Sequence, residues 1–289
     1  MKLASRTLVL GERTLVMGVL NVTPDSFSEG GKFYGAERAI EHALAIERAG
    51  ADLLDIGAES TRPGSAGISA EEEWKRLKPV FVGLRRRLKI PISIDTQKAE
   101  IAEAALEAGA EIINDISGLK SDPRIAEVAA KHRAPLILMH MRGEPRTMQT
   151  GPFAKDVIRD VSNGLRASVA KARKAGMAKS QIIVDPGIGF GKSFAQNYEL
   201  LRKLPQLAKL GYPLLVGSSR KGFLGATLAR DGRPAPAEER IWGTAATVAA
   251  SILHGAHIVR VHDVAEMVQV ARVADGMLSP KKSKYEPGR

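Results

Sequence analysis

The sequence predicts an α/β protein with the fold of a (β/α)8 TIM barrel, preceded by a short N-terminal β-hairpin. Its 289 residues suit one barrel or two small domains. Eight short runs rich in β-forming residues alternate with longer amphipathic stretches, which is typical of parallel strands with crossover helices. No linker rich in Pro, Gly or Ser divides the chain. We therefore expect one domain over residues 1–289, with an open doubly wound sheet as the alternative.

The first element is the predicted hairpin. Thr7–Leu10 and Thr14–Met17 are β-rich and flank the turn Gly11-Glu12. This hairpin leads into the first barrel strand, so we expect it to plug the bottom of the barrel.

Eight strands follow in order. They are predicted at Val16–Val22, Leu53–Ile56, Ile92–Asp95, Ile112–Ile116, Leu136–His140, Ile182–Asp185, Leu214–Gly217 and Ile258–Val261. The stretches between them are rich in Ala, Glu and Arg, which are good helix formers. Helices are predicted at Ala36–Ala49, Glu71–Leu88, Ala99–Ala108, Pro123–Lys131, Lys155–Ala175 and Ala237–Leu253. Several end next to a glycine, where a left-handed cap is easiest to form.

Composition excludes several classes of protein. With 44% hydrophobic and 26% charged residues, the chain is able to bury a sizeable core. It has no cysteine, which excludes disulfides, thiolate zinc sites and cysteine nucleophiles. Glu12 and Arg13 interrupt the apolar N-terminal run, and no run reaches membrane-spanning length. We expect a soluble cytoplasmic protein.

The formal net charge of +11 suits an anionic partner. Nucleic acid, a membrane surface and a phosphorylated small molecule all fit that charge. Only 4% of residues are aromatic, which leaves few platforms for stacking bases. A small phosphorylated substrate is favoured, with no nucleic acid and no membrane as partner.

Polar residues stand at the carboxyl ends of nearly all the predicted strands. They are Asn21, Asp55, Asp95, Asn114, Asp115, His140, Asp185, Ser218, Ser219, Arg260 and His262. Catalytic residues of such barrels project from this rim. Each one alone is also explained as a helix cap or a turn former. Their recurrence strand after strand favours a shared site.

Four of these side chains define a binding chemistry. Asp95, Asn114, Asp185 and Lys221 together offer carboxylates, an amide and an ammonium. Such a set can read the amino group, ring N–H groups and carbonyl of an aminopyrimidinone, so a flat heterocycle fits. A buried ion pair between Lys221 and an aspartate is the structural alternative.

Two proline-bearing loops suggest a second chemistry. Asn21–Ser28 and Glu59–Ser65 follow the first two strands, and their prolines disfavour helix interiors. Hydroxyl and backbone N–H groups beside Arg62 suit an anion, and Arg260 and His262 could complete a diphosphate pocket. Surface turns with a solvated arginine are the alternative.

Two other patterns do not support a site of their own. The run Asp185–Lys192 is rich in glycine but lacks the G-x-x-x-x-G-K-[ST] spacing of a P-loop. The histidines at 254, 257 and 262 have no known metal-ligand spacing. We therefore expect any metal to arrive with the diphosphate.

Motifs along the whole chain carry a specific resemblance. In order, MGVLNVTPDSFSEGG, ESTRPGS, SIDT, INDISG, LMHMRG, DPGIGFGKS, SSRKGF and VRVHD resemble dihydropteroate synthase. The resemblance implies condensation of 6-hydroxymethyl-7,8-dihydropterin diphosphate with para-aminobenzoate, giving 7,8-dihydropteroate and pyrophosphate. It also implies Mg²⁺ as cofactor, inhibition by sulfonamides and a homodimer.

The resemblance also implies residue roles. Pterin contacts are implied for Asp55, Asp95, Asn114, Met139, Asp185, Phe190, Gly217 and Lys221. Diphosphate contacts are implied for Asn21, Thr61, Arg62, Arg260 and His262, with Asn21 also at the metal. The aminobenzoate site is implied for Phe27, Thr61, Pro63, Ser219 and Lys221. Catalytic roles are implied for Lys221, Asp95, Asp185, Arg260 and His262.

Three rival functions have distinguishing features. A methyltransferase barrel that binds methyltetrahydrofolate would share the pterin readers but would not need NVTPDSF and STRPG. A non-catalytic pterin-binding or interaction protein would not need the intact Arg62, Arg260 and His262. A nucleic-acid-binding protein would bind random duplex DNA in a salt-dependent manner.

Overall fold

The computed structural model describes residues 1–23, 31–60, 65, 67–144, 147–148 and 150–279, without the side chains of residues 31–34. Eight parallel strands alternate with helices, as predicted. The strands are β1 (Leu15–Asn21), β2 (Leu53–Gly57), β3 (Ile92–Asp95), β4 (Ile112–Asp115), β5 (Leu136–Met139), β6 (Ile182–Asp185), β7 (Leu215–Val216) and β8 (Ile258–Val261).

Their order in the sheet is β6-β5-β4-β3-β2-β1-β8-β7. A parallel bridge between Val184 and Leu214 joins β6 to the residue before β7, and the Val184 N–H donates to the Pro213 carbonyl oxygen over 2.9 Å. These contacts close the barrel and exclude the open doubly wound sheet.

Helices cover the outside of the barrel. They are α1 (Gly31–Arg48), α2 (Ala70–Leu84), α3 (Ala99–Glu107), α4 (Ile125–His132), α5 (Val157–Lys174), α6 (Phe194–Arg202), α7 (Leu204–Ala208), α8 (Gly222–Thr227), α9 (Ile241–Leu253) and α10 (Val264–Leu278). Their apolar faces and the outward strand residues form the larger core. No helix in the described ranges is long and apolar enough to cross a membrane.

Several predicted elements differ from the structure, three of them by more than the exact position of an end. The antiparallel contact near the N-terminus pairs Lys2 with Thr7, not Thr7–Leu10 with Thr14–Met17, because the chain turns back before Thr7. The helix predicted from Glu71 ends at Leu84, and Arg86 has a left-handed backbone that cannot continue it. The helix predicted over 237–253 begins as a 3-10 turn before α9.

The N-terminal segment nevertheless closes the bottom of the barrel, as predicted. Leu8 is buried, and Met1, Leu3 and Leu10 are partly buried. They pack against a layer of inward-facing strand residues, one or two from most strands. That layer is Leu15, Met17, Leu53, Ile112, Ile137, Ile183, Leu215 and Ile258.

Candidate active site

A second layer, in which Asp55, Asn114, Asp185 and Arg260 are polar and Met139 and Gly217 are not, lies above this apolar one. Side chains alternate along a strand, so the residue two positions after an inward-facing one also faces inward. Six strands show this step: Leu53 to Asp55, Ile112 to Asn114, Ile137 to Met139, Ile183 to Asp185, Leu215 to Gly217, and Ile258 to Arg260. The apolar layer therefore forms the floor of a polar cup that opens at the carboxyl ends of the strands.

One pocket in this cup gathers most of the predicted pterin residues. Its lining is Asp95, Asn114, Ile116, Met139, Asp185, Gly187, Ile188, Phe190, Gly217, Lys221 and Arg260. Strand register explains the arrangement, since Asp95 aligns with Asn114 and Met139 with Asp185. Ile116, Gly187 and Ile188 were not predicted; they lie within two or three residues of predicted positions, where side-chain type alone gives no signal.

An arginine bridges two carboxylates at the base of the cup. Arg260 donates from Nε to Asp55 Oδ2 over 2.6 Å and from Nη2 to Asp95 Oδ2 over 2.9 Å. Asn114 donates to the same Asp55 oxygen over 2.9 Å. Asp55 is fully buried, and the hydrogen bonds that its carboxylate accepts hold the side chains of Asn114 and Arg260 in place. Its Oδ1 accepts no hydrogen bond from the described residues.

The carboxylates of Asp55 and Asp95 repel each other. Burial and the nearby charge of Asp55 raise the pKa of Asp95, whereas the Arg260 guanidinium lowers it. An opposing cation is therefore needed to keep Asp95 ionised. Arg260, which the resemblance places at the diphosphate, thus also belongs to the pterin pocket.

Asp185 stands on β6 with one oxygen already engaged. Its Oδ1 accepts the Gly187 backbone N–H over 2.7 Å. Burial raises the pKa of Asp185 to about 6, against which the Gly187 hydrogen bond and the charge of Lys221 act. A ligand N–H would favour the ionised form, because a donor stabilises a carboxylate.

Lys221 precedes α8 and turns its ammonium toward an aromatic ring. Its Nζ lies 4.0 Å from the centroid of the Phe190 ring, a cation–π contact. Burial, followed by the charge of Arg260, lowers the pKa of Lys221 to about 8. No ion pair of Lys221 occurs within the described part of the chain. The predicted alternative of a buried lysine–aspartate pair is therefore wrong.

His262 and Ser219 meet at the rim. The Ser219 hydroxyl oxygen lies 3.0 Å from His262 Nδ1 and accepts the His262 backbone N–H over 3.2 Å. Burial and the charge of Arg260 lower the pKa of His262 to about 3, so its imidazole is neutral at pH 7. An ion pair between Arg220 and Asp263 joins the same two loops.

The remaining predicted residues lie apart from this cluster or outside the description. Asn21 is exposed at the carboxyl end of β1, in register with Gly57. Phe27, Thr61, Arg62 and Pro63 lie outside the described residues.

This fold and cup define a TIM-barrel enzyme that binds a flat polar heterocycle at the carboxyl ends of its strands. Residues 17–262 match the family described as pterin binding enzyme. The dihydropteroate synthase of a Synechocystis strain is 52% identical over 267 residues, which are 92% of this chain and 91% of that protein. The chain therefore belongs to the dihydropteroate synthases.

Solved structures of this family share the whole barrel. A dihydropteroate synthase from Clostridium difficile, crystallised in the presence of pteroic acid, is 42% identical with a TM-score of 0.87. The similarity covers 94% of this chain and 99% of that one. The Yersinia pestis enzyme in complex with a sulfonamide drug is also 42% identical, with a TM-score of 0.89, covering 96% and 99%.

Proposed function

We propose that this protein condenses 6-hydroxymethyl-7,8-dihydropterin diphosphate with para-aminobenzoate, releasing pyrophosphate and forming 7,8-dihydropteroate for folate biosynthesis. One observation carries the proposal for this chain: Asp95, Asn114, Asp185 and Lys221 line a single pocket. Together they present two carboxylates, an amide and an ammonium to one ligand.

The pterin would be read along its polar edge. Asp185 accepts from the 2-amino group and the neighbouring ring N–H through the oxygen not used by Gly187. Lys221 donates to the ring carbonyl, while Asp95 and Asn114 contact the opposite ring. Met139, Phe190 and Gly217 shape the apolar faces of the slot.

The leaving group requires positive charge at the mouth of the cup. Nε and Nη2 of Arg260 are engaged by carboxylates, and no described residue accepts a hydrogen bond from Nη1. We assign Nη1 to a diphosphate oxygen, with His262, Thr61 and Arg62 as further contacts. As the bond breaks, these groups stabilise the negative charge that develops on pyrophosphate.

The available oxygen ligands suit an Mg²⁺ ion that arrives bound to the diphosphate of the substrate. Asn21 offers an exposed amide oxygen, which is a suitable hard ligand. In the described part of the chain, no group of three acidic or histidine side chains could hold a metal alone. Asn21 would therefore share the ion with diphosphate oxygens and water, and the ion when bound neutralises charge on the leaving group.

The chemical step needs no protein nucleophile. The bond between the pterin CH₂ and the diphosphate oxygen breaks, and its electron pair leaves with pyrophosphate. The arylamine nitrogen of para-aminobenzoate forms the new C–N bond and then loses one proton, which passes to a pyrophosphate oxygen. Asp95 and Asp185 stabilise positive charge on the pterin.

We place para-aminobenzoate between the loops and the rim, against Phe27, Thr61, Pro63, Ser219 and Lys221. Lys221 lines the pterin pocket, and Ser219 contacts His262 two residues after the pocket residue Arg260. Sulfonamides resemble para-aminobenzoate in shape and charge, and the Yersinia pestis relative binds such a drug. We propose that sulfonamides bind this protein at the same place.

The setting of the protein is also proposed. Folate biosynthesis draws on small phosphorylated substrates, which suits a cytoplasmic enzyme with a net charge of +11. We further propose a homodimer that joins through helices distant from the cup.

The first experiment measures pyrophosphate release by the purified protein. The expected result is release that depends on the pterin diphosphate, on Mg²⁺ and on para-aminobenzoate, with dihydropteroate as product. Omission of each component in turn is the control. Tight pterin binding without release would contradict the proposal and favour the methyl-transfer or non-catalytic alternatives.

A further inference from the structure

Lys192 is a buried lysine that the reaction does not use. Its side chain is only 2% exposed. It lies in the glycine-rich segment after β6, and no carboxylate among the described residues forms an ion pair with it. A buried ammonium without an ion-pair partner is costly, whereas an apolar side chain of similar size would pack there without that cost. Burial lowers the pKa of Lys192 to about 7, so the charged and neutral forms are both present near pH 7, and the position of this polar group requires an explanation.

All three donors of the ammonium are directed at two loops. We define loop 5 as residues 140–144 and loop 6 as residues 186–193. Lys192 Nζ donates to the Phe190 carbonyl oxygen over 2.8 Å and to the His140 carbonyl oxygen over 3.2 Å. His140 Nδ1 lies 3.2 Å from Lys192 Nζ, and it accepts the third hydrogen bond when Lys192 is protonated and the imidazole carries its proton on Nε2. Lys192 thus joins loop 5 to loop 6.

The two loops are in backbone contact on both sides of this junction. A Cβ atom at Gly187 would lie 2.0 Å from the His140 carbonyl oxygen, and one at Gly191 would lie 2.0 Å from that of Arg142. Both glycines also have positive φ. Loop 6 can therefore approach loop 5 only with glycine at these positions, and Lys192 bonds the two at the point of contact.

The junction leads directly to the pterin pocket. Phe190 lines the pocket, and its ring receives the Lys221 ammonium at 4.0 Å. From the other side, Gly189 N–H donates to Asn197 Oδ1 over 2.6 Å. The backbone on each side of the Phe190 ring is thus held by a polar group that does not itself line the pocket.

We propose that Lys192 is a positioning residue for pterin binding: by bonding loop 6 to loop 5 it fixes the Phe190 ring, and with it the Lys221 ammonium. This inference rests on the proposed function. It assigns Lys192 to pterin affinity and not to contact with the diphosphate or the aminobenzoate.

The test compares Lys192→Met with Lys192→Gln, which keeps an amide donor. Calorimetric titration with 6-hydroxymethylpterin isolates the pterin pocket from the diphosphate contacts. We expect the Kd to rise at least about tenfold for Lys192→Met and less for Lys192→Gln, with the KM for para-aminobenzoate little changed. Lys120→Met is the matched control, because Lys120 donates to the Met141 carbonyl of loop 5 but not to loop 6.

A double-mutant cycle with Phe190→Ala separates positioning from general stability. If Lys192 acts through the ring, most of the effect of Lys192→Met on Kd disappears in the Phe190→Ala background. Lower thermal stability with unchanged Kd in both Lys192 variants would overturn the inference. It would also be overturned if Lys192→Met changed Kd by the same factor in the wild-type and Phe190→Ala backgrounds. Absence of pterin binding by the wild-type protein would instead overturn the proposed function itself.

Discussion

Asp185→Asn should abolish most activity without lowering stability. Oδ1 of Asp185 accepts the Gly187 N–H, so the asparagine oxygen has to take that place to keep the hydrogen bond. Its NH₂ group then faces the pocket, where the pterin amino group and ring N–H also donate. Two charge-assisted hydrogen bonds are lost, each contributing about 1.5–3 kcal/mol.

A loss of about 3 kcal/mol or more corresponds to about a 100-fold or larger fall in kcat/KM. The Asp185→Asn substitution should raise the free energy of unfolding even though it lowers activity. Burial raises the pKa of Asp185 from 3.8 to about 6, so the ionised group destabilises the folded state at pH 7, by on the order of 3 kcal/mol. A neutral amide of the same size removes that penalty.

Two measurements on purified Asp185→Asn protein check this reasoning. Steady-state pyrophosphate release gives kcat/KM, and thermal denaturation at pH 7 gives Tm, which should equal or exceed that of the wild type. A kcat/KM within about fivefold of wild type would refute the pterin contact. A large fall in Tm accompanying the lost activity would refute the argument that the charge serves binding.

The proposed roles of the residues in the cup lead to four further predictions. Since Asp95 and Asp185 must be ionised and Lys221 protonated, kcat/KM should rise with pH between about 6 and about 7 and fall through about 8; a profile flat from pH 5 to 9 would contradict these roles. Lys221→Ala should reduce pterin affinity at least about tenfold in calorimetry, because a charge-assisted donor is lost. Sulfonamides should inhibit competitively with para-aminobenzoate, and changes at Phe27 or Pro63 should alter the inhibition constant while activity persists; constants indifferent to both would refute that placement. Chelation of Mg²⁺ should stop pyrophosphate release but leave binding of 6-hydroxymethylpterin unchanged in a parallel titration.

The barrel could be predicted because its signal is local. Each strand is a short β-rich run, and the parallel order follows from the helices between them. The extent of β7 could not be predicted in the same way. Its predicted span Leu214–Gly217 is reduced to Leu215–Val216, since Leu214 contacts β6 only through an isolated bridge.

The polar residues at the strand ends predicted the cup. The hydrogen bonds among these residues became visible only in the structure. Asp95, Asn114 and Asp185 were identifiable because polar residues at inward positions are costly to bury. That Arg260 would bridge Asp55 and Asp95 depends on side-chain reach across the barrel, over sequence separations of 205 and 165 residues respectively. Lys192 lies in the glycine-rich run that was excluded as a P-loop and in the family motif DPGIGFGKS, and no sequence signal marked its burial.

The two stacked layers inside the barrel separate mutational effects by position along each strand. On β4, for example, Ile112 belongs to the lower layer and Asn114 to the upper, although only one residue lies between them. In a saturation library, tolerance at lower positions should follow hydrophobic volume, whereas tolerance at upper positions should follow hydrogen-bonding chemistry. A barrel of this kind can therefore exchange its ligand over evolutionary time by changes in the upper layer, while the lower layer continues to hold the scaffold together.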